Sequence, residues 1–465
     1  MGSLVVIHLT GLIVFTSWAF GGQAPWVRSV ITYWGALGVV LFVAACWSRR
    51  TASNEPAQTA LRWLWPLLLF NVMVGAGCLN PSFHDVVIAG EPSLVLGDPL
   101  TWLPNSARPG LAWRELWQFD VIVLSCFNLV LAVQRRSSLR LLLLILTGNA
   151  VTLAILGTFQ KLVHADGLWF GLVASPNSRF FATFIYHNHW GAFTLLNTAS
   201  CLGLLWHYYR NGVQRDFWHS PVLLGVLATL LLAATIPLSA SRSSTVLMTG
   251  LLTGAFIHLL RRLIRHRRQH HAPVILPVAG IILSALLSVG AIAYLGREVI
   301  AQRAQLTAEQ IATAVKEDTL NSRLALYRDT WRMAAEKPWF GWGLESYPYV
   351  FRIFNTQRAV EARFWIPFYR SAHNDWLQSL AETGFIGTGL RGLLVLLPLL
   401  AVPWRRVRTN LPRYLLAGGA IILLYAWVEF PFANPAVLLT FCATFYCAVR
   451  YAALDLKANP APPAR

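Results

Sequence analysis

The chain has 465 residues, 56% hydrophobic and only 12% charged, with a formal net charge of +18 and a mean hydropathy of +0.51. So apolar a composition excludes a soluble globular domain. The positive charge sits in short loops between apolar runs, which argues for a topology signal and against a nucleic-acid partner.

Apolar runs of roughly 17–25 residues recur along the chain, each long enough to cross a bilayer. The first, Leu4 to Phe20, has no basic flank before it and reads as a retained helix rather than a cleaved signal peptide. Further spans are expected at Val30–Trp47, Trp63–Leu79, Leu116–Val133, Leu139–Phe159, Ile185–Trp206, Val222–Leu238 and Thr245–Leu260. Val274–Leu295, Phe385–Val402, Tyr414–Phe430 and Val437–Tyr451 complete the set. The expected fold is therefore an all-α polytopic membrane protein of about twelve transmembrane helices. Six cysteines (46, 78, 126, 201, 442 and 447) fall in or at the ends of these runs with no metal-ligand pairing, which implies packing and no disulfide framework.

Alternate loops carry Arg49-Arg50, Arg135-Arg136, Arg210 with Arg215, the block Arg261 to Arg268, and Arg405 to Arg408. The intervening loops hold few basic residues: Arg28, Arg108, Arg114, Lys161, Arg179 and Arg242. The basic set is expected on the cytoplasmic side, with both termini inside.

Helices 1–9 with short loops occupy 1–294, a large outside loop 295–375, and helices 10–12 with a cytoplasmic tail 376–465. Within the large loop, Arg303 to Lys316 reads as one helix. Asn321-Ser322 can cap a second through Glu336, which Lys337-Pro338 ends. Phe340-Gly-Trp-Gly343 and the neighbourhoods of Pro348 and Pro367 read as turns. A second outside loop, Asn80 to Trp113, is rich in Pro, Gly and Asn and is expected to be irregular. A third, Lys161 to His189, holds His187 and His189; two alternating histidines without a third ligand imply no metal site. The tail Ala458–Arg465 reads as disordered.

Three polar features share the outer side. Arg242, in Ser239-Ala-Ser-Arg-Ser-Ser244, is held at the membrane edge by a tight helical hairpin. An arginine there is costly unless paired, although it can also reach headgroup phosphates. Arg323 opens a loop helix with Tyr327 and Trp331 on its stripe, while Arg328 and Arg332 form another pair; the bland reading is a solvated face. His373 is followed at helical spacing by Leu377, Leu380, Gly384 and Gly387, with Ser371 and Asn374 as capping residues. That places His373 in or near a first helical turn, where the partial positive charge disfavours imidazolium; the bland reading is an interfacial cap.

Asn321-Ser-Arg-Leu-Ala-Leu-Tyr-Arg-Asp-Thr-Trp331, Lys337-Pro-Trp-Phe-Gly-Trp-Gly343 and Ala372-His-Asn-Asp-Trp-Leu-Gln378 with Glu382-Thr-Gly384 resemble the signature of the O-antigen ligase and polymerase superfamily. Ser241-Arg242 on its hairpin and Tyr186-His-Asn-His-Trp-Gly-Ala-Phe193 at the start of a helix match as well. The likeness covers most of the chain in topology and about 60 residues in motif. It implies a helical membrane glycosyltransferase fold with one large periplasmic loop, in the bacterial inner membrane.

The implied activity is transfer of a glycan from an undecaprenyl diphosphate carrier to an acceptor hydroxyl, with no cofactor or metal. The lipid A core is the favoured acceptor; a second carrier-linked glycan or a protein hydroxyl are the alternatives. The resemblance assigns Arg242 and Arg323 to the diphosphate and His373 to the acceptor, making these three catalytic; Asn374, Tyr327, Arg391 and His189 join the two arginines in substrate binding. Two arginines can neutralise the departing diphosphate, and a neutral histidine can take the acceptor's proton, with inversion at the anomeric carbon. Asp375 and Glu382 lie near the histidine in sequence, so either carboxylate can orient it or act as the base. A transporter, the reading from another class, would place ionisable residues at mid-bilayer on broken helices.

Overall fold

The computed structural model describes residues 1–50, 60–88, 91–211, 220–276, positions 278–280, 282–283, 286 and 290, and residues 319–356 and 368–458. The Arg303–Lys316 helix, most of the Val274–Leu295 span, the Pro367 turn and nearly all of the tail lie outside the described residues.

Thirteen helices carry the fold among the described residues. They are α1 (Gly2–Trp18), α2 (Pro25–Arg50), α3 (Trp65–Cys78), α4 (Pro109–Ala132), α5 (Arg136–Leu162), α6 (His187–Asn211) and α7 (Pro221–Ser239). After these come α8 (Arg242–Gln269), α9 (Thr319–Glu336), α10 (Tyr347–Phe354), α11 (Asp375–Ala401), α12 (Leu411–Tyr425) and α13 (Pro435–Ala458). Seven of them (α2, α4, α5, α7, α8, α11 and α13) are long and apolar enough to cross a bilayer, and three shorter apolar helices accompany them. Every expected span except Val274–Leu295 coincides with a helix. The α6 helix is not among the seven, because polar Asn, Thr and Ser residues line its core side: Asn197, Thr198 and Ser200 are buried and hydrogen-bond within the helix or pack in the bundle.

Of the seven long apolar helices, α4 and α13 are the most buried, and they pack against each other. Around them α2 lies on α4, and α6 lies between α5, α7 and α12. Several polar side chains inside the bundle are paired, which offsets their dehydration. His8 Nε2 meets Ser125 Oγ at 3.1 Å, Asn128 donates to the Gly38 carbonyl at 2.8 Å, and Trp18 donates to Asn149 at 2.7 Å.

Two opposite ends are defined by α8 and α12. Near its start, α8 meets the end of α12 through Ser241 and Ser244, which approach the Tyr425 hydroxyl at 3.3 and 3.0 Å. Toward its C-terminus, His258 meets Tyr414 at 2.9 Å, so the two helices run antiparallel. The end marked by Tyr414 also gathers basic loops: Arg136 and the Arg408 backbone amide both bind the buried carboxylate of Asp455 at 2.8 Å.

The segment Asn80 to Trp113 is more ordered than its composition suggests. Phe83–Ile88 (β1) and Glu91–Leu96 (β2) pair as an antiparallel hairpin, His84 opposite Val95 and Val86 opposite Ser93. Their apolar residues fall in short runs, Val86 to Ile88 and Leu94 to Leu96, so no period-2 pattern announces the hairpin.

Helix α11 is broken once, at Gly384, whose φ of 61° and ψ of −170° suit only glycine. The groups freed by the break are satisfied by the turn after α9. The Trp342 and Gly343 amides donate to the carbonyls of Ala381 and Glu382 at 3.0 and 2.8 Å. In return, the Phe385 and Ile386 amides donate to the carbonyls of Pro338 and Trp339 at 2.8 and 3.1 Å. A helix of one long apolar pattern is thus spliced to the loop, and α9 is fixed beside the start of α11.

Candidate functional site

Of the two capping residues expected, Ser371 and Asn374, the helix α11 uses the second. Asn374 is the N-cap, its side-chain oxygen accepting the Leu377 amide at 3.0 Å, and Asp375 opens the helix. His373 therefore lies outside the first turn, in the left-handed region at φ 51°. Tyr327 on α9 donates to the His373 carbonyl at 3.1 Å and holds this conformation. Burial pushes the Tyr327 phenol up, opposed by the neighbouring Arg323, so it stays a donor.

The carboxylate beside the histidine is neither Asp375 nor Glu382. It is Glu429, in the turn after α12, buried and 3.5 Å from His373 Nδ1. Its other oxygen lies 3.7 Å from an Arg323 Nη, and Tyr186 donates at 3.3 Å to the oxygen that faces His373. A carboxylate only accepts, so Nδ1 carries the proton and Nε2 is left with a lone pair. Asp375 instead accepts the Phe432 amide at 2.9 Å, and Glu382 accepts the Tyr347 amide at 3.3 Å and Gln378 at 3.2 Å.

Aromatic rings frame the group. Phe430 meets the edge of His373 at 4.8 Å between centroids and stacks on Tyr186 at 5.3 Å. His189 is buried behind it, and because a carbonyl only accepts, its Nε2 donates to the Phe430 carbonyl at 3.2 Å. That bond fixes the strip carrying Glu429 rather than leaving His189 open to a ligand.

Arg323 is more than half exposed although its partner Glu429 is 4% exposed, so part of the guanidinium faces outward. Arg242 is exposed at the first position of α8, one residue after Ser241. Ser241 and Ser244 hold Tyr425, and the Glu429 amide donates to the Tyr425 carbonyl at 3.0 Å. Arg242 is thereby joined to Glu429 through one helical turn. Gly191 makes this possible: a Cβ there would stand 2.1 Å from Ser244 Oγ, so only glycine lets α6 lie this close to α8.

Arg328 and Arg332 point elsewhere, flanking the buried Asp329 at 3.8 and 3.6 Å. Trp331 is 51% exposed and takes no part. Arg391 lies apart as well, bonded to Ser379 and Thr383 on its own helix. The signal for Glu429 was present in the sequence as a lone acid closing an apolar run, a costly placement without a partner.

Residues 227–391 match the family model described as O-antigen ligase. That match supports the likeness to the O-antigen ligase and polymerase superfamily over this stretch of the chain. The ligase-family match takes in Arg242, Arg323 and His373 and stops before Glu429. No curated protein matches the chain. The matched family is glycosyltransferase-like, and its match lies on a chain with seven helices long and apolar enough to cross a membrane among the described residues.

Proposed function

We propose that the protein transfers a glycan from undecaprenyl diphosphate to an acceptor hydroxyl at the periplasmic face of the bacterial inner membrane, with the lipid A core as acceptor. The observation that carries this reading is the meeting of His373 and Arg323 on one buried carboxylate, Glu429, within a family of O-antigen ligases. In this reading the acceptor hydroxyl gives its proton to Nε2 of His373 as its oxygen bonds to the anomeric carbon. The bond from that carbon to the carrier's phosphate oxygen breaks on the opposite side, inverting the configuration. Arg323 and Arg242 neutralise the charge that grows on the diphosphate. Glu429 stabilises the imidazolium that forms, as a carboxylate behind a general base does. The basic loops lie at the other end of the bundle, which supports an outward-facing site.

The test is transfer by the purified full chain from a defined undecaprenyl-diphosphate glycan, with glycans profiled in a deletion strain alongside. Free carrier-linked chains of normal length in that strain support a ligase, and single repeat units would make it a polymerase. His373→Gln holds a hydroxyl without accepting its proton; a rate near wild type for that variant would remove the base role.

A further inference from the structure

Behind the strip that carries Glu429 lies a cavity of about 450 Å³ that the transfer reading does not use. Glu429 and Phe430 face His373, whereas Ala426, Phe432 and Ala433 line the cavity on the other side of the same strip. Its walls divide sharply. The head is formed by Glu115, Glu345, Asp375, Glu382 and Arg391 with Gln378 and Ser379. The remainder is apolar, with Leu394, Val395, Leu399, Phe441 and Phe445 in its walls. From Thr388 to Leu399 the lining follows α11 for about 16 Å at the helical rise of ~1.5 Å per residue. Leu396 lines the cavity and is 47% exposed, so the apolar part reaches the lateral face of the bundle, where lipid chains lie.

The head is richer in acids than in cations. Glu115 binds Arg28 at 2.9 Å, Arg28 and Arg114 lie near Glu345, and Arg391 has Glu382, Asp375 and Glu115 as its acid neighbours. Arg391 Nε is buried and makes no hydrogen bond within the protein. A diphosphate there would bring its charge against four acid side chains, whereas hydroxyls can donate to or accept from those carboxyl groups and accept from Nε. We propose that this cavity binds a lipid with one apolar chain and a neutral, hydroxyl-bearing head group, distinct from the diphosphate carrier. An occupant would rest against the strip that holds Glu429 beside His373. The inference goes beyond the transfer reading and stands without it.

The test uses the purified full chain and a dodecyl glucoside carrying a diazirine at the chain end, with labelled peptides mapped by mass spectrometry. Label should fall on Leu394–Leu399 and Phe441–Tyr446, and a hundredfold excess of dodecyl maltoside should remove most of it while dodecyl phosphate should not. Gly392 lines the cavity and a Cβ there meets nothing within 4 Å, so Gly392→Phe should fold with an unchanged thermal transition and lose at least tenfold of the label. If that variant fails to fold, Val395→Phe takes its place with the same expectation. Equal competition by dodecyl phosphate, or label spread over the outer faces of the helices and untouched by either substitution, would overturn the proposal. Labelling reads occupancy without turnover, so it is decided independently of whether the chain transfers glycans.

Discussion

Glu429 stands 3.5 Å from His373 Nδ1 and joins two segments 56 residues apart, with a loop helix bound to the same carboxylate through Arg323. The pair sets the tautomer of the histidine and supplies a counter-charge for the proton it receives. Glu429→Gln should therefore lower kcat on the order of 10²-fold with little change in donor KM, because glutamine accepts a hydrogen bond but carries no charge. Glu429→Asp should recover part of the rate. Steady-state kinetics on defined donor and acceptor decide it, and a wild-type kcat for the glutamine variant would reduce Glu429 to a structural residue.

The two arginine faces of α9 separate binding from surface charge. Lysine keeps the charge of Arg323 but loses the planar fork, so Arg323→Lys should cost on the order of 2–4 kcal/mol of transition-state stabilisation, or roughly 30- to 1000-fold in rate. The same change at Arg242 should act likewise. Arg328→Lys, beside Asp329 on another face, should leave the rate within about twofold. Equal losses at 323 and 328 would point to helix damage rather than substrate contact.

Gly384 tests the splice between α11 and the Lys337–Gly343 turn. An alanine Cβ there would stand 2.3 Å from the Trp339 carbonyl atoms, on a backbone already at positive φ. Gly384→Ala should lose about 3 kcal/mol or more of stability. Gly389→Ala, where a Cβ meets nothing within 4 Å, should be neutral or slightly stabilising. Thermal unfolding in detergent compares the two, and similar transitions would show the break to be permissive.

Glu345 gives the chain a pH-dependent element outside the spanning helices. Burial, with Glu115 nearby, pushes its carboxyl up to about 7, while Arg28 and Arg114 oppose. The folded state thus holds a proton that the unfolded chain releases near 4.5, so stability falls as pH rises from there through about 7. Glu345→Gln should melt higher than wild type at pH 8 and nearly level with it at pH 5. A difference that is constant across that range would mean the charge is not what costs stability.

The sequence by itself determined where apolar helices lie, because a bilayer demands long runs that cannot be hidden: eleven of the twelve expected segments coincide with helices, and the twelfth lies largely outside the described residues. Caps and close approaches were legible for the same local reason, as with Asn374 and the hairpin before Arg242. The motif residues His373, Arg323 and Arg242 could be singled out on one side of the membrane. Only the tertiary structure decided which carboxylate serves the histidine. Proximity in the chain favoured Asp375 and Glu382, but the helix that follows His373 carries both away to the Phe432 and Tyr347 amides. Glu429 arrives from another helix, and Gly384 bends α11 to meet a turn 40 residues earlier in a way that hydropathy cannot encode. Side-chain pairing across elements depends on packing directions, which leave no periodic trace in a single sequence.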